Sequence, residues 1–320
     1  MNTQLDVITL GETMVLFDAG SNGPLRYVNQ FNKRIGGAES NVAIGLSKLG
    51  HSVGWVSKIG DEELGHYMIN TIRGEGVDIS RVVLDPTERT GLYIKEKLTD
   101  RNQVYYYRQG SAASKMASSD IDWEYLSNTK IIHLTGITPL LSESCFNLVD
   151  ELFHFAKKHA IPVSFDPNLR HKLLEKVPNG KERLMDFAKR ADILLPGLEE
   201  AEYLLGTRDY DEIADFFLAS GVKKIAIKNG AIGTYYATSD NERGFVKSYP
   251  VSKAIDPIGA GDGFATGVLS GLLNGSTFEE AIDRGSLIGS MVVSVSGDIE
   301  GLPTSREIEA FRTNKQDVLR

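Results

Sequence analysis

Short apolar runs alternate with helical patterns along almost the whole chain. Val7 to Leu10, Val53 to Val56, Lys130 to Leu134, Val163 to Phe165, Ile193 to Leu195 and Lys224 to Ile227 are short and predominantly apolar. Runs of that kind read as strands buried on both faces. Between them, Ala38 to Leu49, Glu62 to Arg73, Leu148 to Lys158 and Lys181 to Lys189 carry helical patterns; in the first, Val42, Ile44, Leu46 and Leu49 are apolar. Strands that alternate with helices predict a mainly parallel sheet covered on both sides, a three-layer α/β/α architecture.

Two segments interrupt this rhythm. Leu16 to Ile35 is polar and turn-rich, with Gly20, Gly23 and Pro24. Thr90 to Arg108 holds two β-rich runs, Gly91-Leu-Tyr-Ile-Lys and Gln103-Val-Tyr-Tyr-Tyr-Arg, separated by Leu98-Thr-Asp-Arg-Asn. That spacing predicts a hairpin. Strands with no helix between them imply a small antiparallel β-sheet apart from the main one, either a lid over a site or a contact between copies. The expected organisation is one domain over residues 1–320 with lid segments at about 12–35 and 88–112 inserted in it. The charged stretch Glu307 to Arg320 predicts a final surface helix.

Composition narrows the function. Apolar residues make up 41% and charged residues 24% of the 320, an ordinary globular balance. The net charge, 35 − 43 = −8, argues against a nucleic-acid partner. One cysteine, Cys145, excludes an intramolecular disulfide and a cysteine-rich zinc module. The six histidines form no metal-ligand pattern, so no resident metal site is expected. Without an apolar span or a leader pattern, no membrane partner is expected and the chain reads as cytoplasmic. The 32 glycines exceed the usual share and point to tight turns or close backbone approaches.

The chemistry concentrates in Asp256-Pro-Ile-Gly-Ala-Gly-Asp-Gly-Phe-Ala-Thr-Gly, just ahead of a helical pattern over Gly263 to Leu273. Small residues at Gly259, Ala260 and Gly261 let backbone amides approach an anion at a helix N-terminus. Asp262 beside them can take a proton from an attacking alcohol. Phosphoryl transfer needs both parts. A bare Gly-x-Gly-Asp is more often only a turn capped by its aspartate. The full run resembles the C-terminal signature of the PfkB (ribokinase-like) carbohydrate kinases, with Thr266 where a smaller residue is usual. Gly36-Gly-Ala-Glu-Ser-Asn-Val-Ala resembles the first signature of the same family. There is no P-loop, third dinucleotide glycine or protein-kinase motif.

The resemblance spans about residues 5 to 305. It implies a ribokinase-like fold, ATP and Mg2+ as nucleotide and metal, Asp262 as base, and the amides of Gly259, Ala260 and Gly261 as anion hole. It places Gly36, Gly37 and Asn41 at the sugar. On the nucleotide side it nominates Asn168, Glu200, Lys228, Gly230, Gly233 and Ser286. Gly197 stands where the family has asparagine, so the resemblance implies that Glu200 acts on magnesium through water.

Three features point to an acidic sugar, for which arginine forks are suited. Alternation puts Tyr106 and Arg108 on one face of the second lid strand. Asp166, Asn168 and Arg170 follow a buried strand, at the end where open α/β sheets bind ligands. Asp298, in Gly297-Asp-Ile-Glu-Gly, stands where most ribokinase-like chains have a small residue. With Thr90-Gly-Leu-Tyr, which contributes Tyr93, these motifs are similar to those of the 2-keto-3-deoxygluconate kinases within the family. The implied acceptor is a small acidic sugar, and the lid implies a homo-oligomer, dimer or higher. The rival readings are a fructokinase or other neutral-sugar kinase, disfavoured by Leu16 where fructokinases often carry aspartate, and a non-catalytic sugar-binding regulator, disfavoured by the intact Asp262.

Overall fold

The protein is described from a computed structural model covering residues 4–98, 102–251 and 254–318. Its strands are β1 (Leu5–Leu10), β2 (Met14–Ala19), β3 (Phe31–Gly36), β4 (Val53–Val56), β5 (Lys58–Gly60), β6 (Val83–Asp85) and β7 (Leu92–Lys97). They continue with β8 (Asn102–Tyr107), β9 (Thr129–Thr135), β10 (Val163–Asp166), β11 (Ile193–Leu194), β12 (Lys224–Asn229), β13 (Gly233–Thr238) and β14 (Arg243–Lys247). Eight of these form one sheet in the order β14-β13-β12-β11-β10-β9-β1-β4. Neighbours from β4 to β12 run parallel, and β13 runs antiparallel to both its neighbours.

The continuous apolar runs resolve into two cores by simple alternation. Ile8, Ile132, Leu134, Leu194, Ile225 and Ile227 face one side, where helices Glu143–Lys158, Gly180–Arg190 and Tyr210–Ser220 pack. Val7, Ile131, Ile193, Leu195 and Ala226 face the other, against helices Ala38–Lys48, Glu63–Gly74, Ala260–Leu273 and Phe278–Val293. This is the α/β/α sandwich that the pattern predicted. On the second side Gly267 and Gly271 press directly on Gly285 and Ala281, so two helices meet backbone to backbone, and part of the glycine excess is used here. The helix expected from Leu148 begins at Glu143, because the Ser142 hydroxyl accepts from the Cys145 amide and caps it earlier. The last helix runs Ser305–Val318.

The lid departs from expectation in two ways. The segment read as turn-rich begins and ends in strands, β2 and β3, with Val15, Leu16, Ala19 and Ile35 buried. Its sheet, β3-β2-β7-β8, is mixed rather than antiparallel, because β2 and β7 pair in parallel. A sheet covered on one face needs few apolar residues, so its strands were hard to see. The predicted hairpin is present as β7–β8, with Tyr93 opposite Tyr106. The middle of its loop, Thr99 to Arg101, lies outside the described residues.

Candidate active site

A cavity of about 570 Å3 lies between the lid and the ends of β1, β9 and β10. One wall of it is the turn into helix Ala260–Leu273. Gly259 ends that turn at φ +80°, a conformation that favours glycine. Helix geometry leaves the amides of Gly261 and Asp262 with no partner inside the helix. Ala260 does not line the cavity, and its N–H points back to Pro257 O at 3.3 Å. Of the three amides expected at an anion hole, that of Ala260 therefore turns away from the cavity.

Asp262 does not cap its helix; Gly259 holds that position. The carboxylate instead accepts a hydrogen bond from Asn41 Nδ2 at 2.7 Å, joining the two signature segments across the cavity. Asp262 is 9% exposed. Burial, with Asp166 and Asp298 nearby, pushes its pKa up to about 7, against the opposing pull of Asn41 and Arg170. Asp298 rises to about 6, through burial and the field of Asp256, with Lys95 opposing. Tyr93 Oη donates to Asp298 at 3.3 Å. A side chain at Gly36 would collide with both Tyr93 Oη and Asp298, and one at Gly37 would press on Glu12 O. Only glycine leaves this floor open.

The two arginines differ. Arg108 lies just beyond the end of β8, forms an ion pair with the fully buried Glu12, and stands over Tyr106 at 6.0 Å from the ring centroid. Its Nε–H is buried and has no hydrogen-bond partner among the described residues. Tyr106 in turn stacks on Tyr93 at 5.7 Å. Arg170 is exposed at the cavity edge, with one Nη1 contact to its neighbour Leu169 O at 3.3 Å.

Among the residues nominated for the nucleotide, Lys228 Nζ pairs with Asp166 at 2.6 Å. Burial works to lower the Lys228 pKa, but Asp166 and Glu200 outweigh it and hold the pKa above its ordinary value. Glu200 is committed to backbone: its two oxygens accept from the amides of Leu169 and Gly197, each at 2.7 Å. Burial and Asp166 raise its pKa. It positions the loop of Asn168 and Arg170, and both of those line the cavity. Gly230 and Gly233 shape the β12–β13 turn and do not line the cavity. Ser286 is also away from it, buried in helix Phe278–Val293 with a hydroxyl that has no partner among the described residues.

Sequence reading missed Glu12 and Lys95. Glu12 carried no signal beyond following the first strand. Lys95 shares its strand face with Tyr93, two residues away, which marks it as inward-facing. Among the described residues, no group of three or more His, Cys, Asp or Glu is arranged to hold a metal ion, and no helix is long and apolar enough to cross a membrane.

A cavity faced by a helix N-terminus and by a buried carboxylate in that helix's first turn suits an enzyme that moves a phosphoryl group onto an alcohol. The chain belongs to the pfkB family of carbohydrate kinases, whose model matches residues 4–305. It is 38% identical over 317 residues to a 2-dehydro-3-deoxygluconokinase of Bacillus subtilis (strain 168), covering 98% of each chain. The crystal structure of a PfkB protein from Polaromonas sp. JS666 superposes with a TM-score of 0.88 at 41% identity, over 96% of this chain and 99% of that one. A protein described as ribokinase II from E. coli, in complex with ATP and Mg2+, superposes with a TM-score of 0.90 at 27% identity, over 97% and 99%.

Proposed function

We propose that this carbohydrate kinase transfers the γ-phosphoryl group of ATP to the C6 hydroxyl of 2-keto-3-deoxygluconate, giving the 6-phosphate and ADP. The observation that carries this reading is the placement of Arg108 and Arg170 on the cavity that holds Asp262. Among the described residues, Arg108 keeps a buried Nε–H free beside its pair with Glu12, and Arg170 is exposed at the cavity edge; a substrate carboxylate can accept charge-assisted hydrogen bonds from both, stronger than those a neutral sugar accepts. The B. subtilis relative's name supports the same acceptor.

Asp262 removes the proton from the C6 hydroxyl as its oxygen forms the new bond to phosphorus. The bond from phosphorus to the ADP oxygen breaks, and ADP leaves with that electron pair. With a pKa near 7, Asp262 is a base matched to neutral pH. The amides of Gly261 and Asp262, with Lys228, face the charge on the transferring group. Gly36, Gly37, Asn41, Tyr93, Tyr106 and Asp298 shape the acceptor site.

The residues present suit ATP with Mg2+. Asp166, backed by Lys228, offers one carboxylate on the nucleotide side, and Mg2+ commonly takes few protein ligands and several from phosphate and water. When bound, Mg2+ offsets triphosphate charge. Glu200 acts on it only indirectly, its oxygens being held by amides. The exposed Tyr27, Phe31 and Tyr107 on the lid support pairing of copies through it, which size-exclusion with light scattering would test.

The deciding experiment couples ADP release to substrate choice, comparing 2-keto-3-deoxygluconate, its galactonate epimer, fructose and ribose with ATP and Mg2+. Turnover confined to the keto-acids is the expected result. Turnover on fructose or ribose alone would remove the acid-binding roles of Arg108 and Arg170 while keeping Asp262.

A further inference from the structure

Lys95 and Asp256 form an ion pair buried on both sides, with 3% and 2% of each residue exposed. Lys95 belongs to lid strand β7, and Asp256 opens the turn that leads to Gly259. The two groups are 161 residues apart in sequence and join the lid to the anion hole. Asp256 is fixed from its own side as well, because its Oδ1 accepts from the Ile258 amide at 3.3 Å and its N–H donates to Val293 O at 3.2 Å. A buried carboxylate three residues before Gly259 is a liability for a site that must gather phosphate charge. Its field already reaches two neighbours, working to raise the pKa values of Asp298 and Tyr93. Unpaired, it would oppose the transferring group in a region of low dielectric.

We infer that Lys95 is a positioning residue for phosphoryl transfer: the lid carries the counter-charge that neutralises Asp256, so the anion hole is electrostatically complete only with the lid in place. Tyr93, on the same face of β7, reaches Asp298 at the acceptor floor. One strand therefore holds the acceptor site through Tyr93 and the phosphate site through Lys95. Lid placement over an acceptor and readiness of the anion hole become one event. Transfer to a sugar is favoured over transfer to water, which does not hold the lid. The inference rests on the kinase chemistry proposed above and not on which sugar is the acceptor.

The test is a double-mutant cycle on kcat, using whichever acceptor the wild-type protein turns over, well below the melting temperature of every variant. A wild-type protein inactive on every acceptor would fail the functional reading before this cycle began. Lys95→Met keeps the length and removes the charge. It is expected to lower kcat by about 10- to 100-fold while the acceptor KM moves by less than about threefold. Asp256→Asn removes the opposing charge and leaves Lys95 unpaired, so it is expected to lower kcat much less than Lys95→Met does. The double variant removes both charges and should recover at least about tenfold over Lys95→Met. A Lys95→Met kcat within about twofold of wild type would overturn the inference. So would a double variant that regains its melting temperature but not its kcat, since that is the signature of a structural pair. Should Lys95→Met fail to fold, the double variant alone decides: kcat within about tenfold of wild type supports neutralisation, and a larger loss overturns it.

Discussion

The body of the molecule and its lid contribute differently to one cavity. The body supplies backbone groups and one side-chain pair: the amides at the start of helix Ala260–Leu273, the glycine floor at Gly37, and the Asp262 carboxylate held by Asn41. The lid supplies side chains: Tyr93, Tyr106 and, just past β8, Arg108. Backbone groups on rigid elements suit a fixed reaction geometry, whereas side chains on a one-sided sheet suit recognition of a particular acceptor. The comparison teaches that body residues should govern turnover and lid residues should govern affinity, with Lys95 of the lid and Arg170 of the body crossing over.

The largest effect should come from the body. Asp262→Asn is expected to lower kcat by about 10²–10⁴, the usual range for a general base, with little change in acceptor binding. Steady-state kinetics and calorimetry of the dead enzyme check both halves, and near-normal turnover would remove Asp262 from its role. Next, Arg108→Met should raise the KM for an acidic acceptor by about 10- to 100-fold, the worth of a hydrogen bond to a charged group, and lower kcat much less. A fall in kcat with KM unchanged would erase the division between lid and body. Arg170→Lys keeps the charge and loses the fork, and should raise the acceptor KM by roughly tenfold at most.

The pKa of Asp262 gives a subtler check. Its folded value, about 7, lies above its unfolded one. The protonated form is therefore favoured by folding; that contribution is fully present below about pH 4 and is lost as pH rises through about 7. Activity should rise through the same pH region in which this contribution to stability disappears. Asp262→Asn should then be more stable than wild type at pH 8, by on the order of 1–4 kcal/mol, and lose that advantage near pH 4. Urea melts at the two pH values measure the difference, and equal gains at both would mean Asp262 is not buried as a charge. The smallest effect belongs to Tyr106→Phe, which keeps the stack on Tyr93 and should change kcat/KM by less than about threefold.

The same division explains what could be read in advance. The body's strands declare themselves as apolar runs, and even their two-core alternation follows from Ile131 beside Ile132 and Ile225 beside Ala226. The sites of Asp262, Asn41, Lys228 and the two arginines follow from motifs at strand ends and helix starts. What escaped detection depended on pairing across the chain. Nothing local reveals that β2 and β7 run parallel, that Lys95 meets Asp256, or that Glu12 holds Arg108. Gly230 and Gly233 lie outside the cavity, and a glycine that serves a turn has the same local pattern as a glycine that admits a ligand. In this chain they serve the β12–β13 turn.

The collision that a side chain at Gly36 would make with Tyr93 and Asp298 bears on how such an enzyme can change its diet. The glycine part of the floor cannot be retuned by substitution, because a side chain at 36 or 37 collides with what surrounds it. Inheritance can alter the acceptor where the cavity wall is side chain, as at Val104, Tyr106 and Arg108 on the lid. A library that varies those three positions and leaves 36 and 37 alone is where new substrates for this scaffold should be sought.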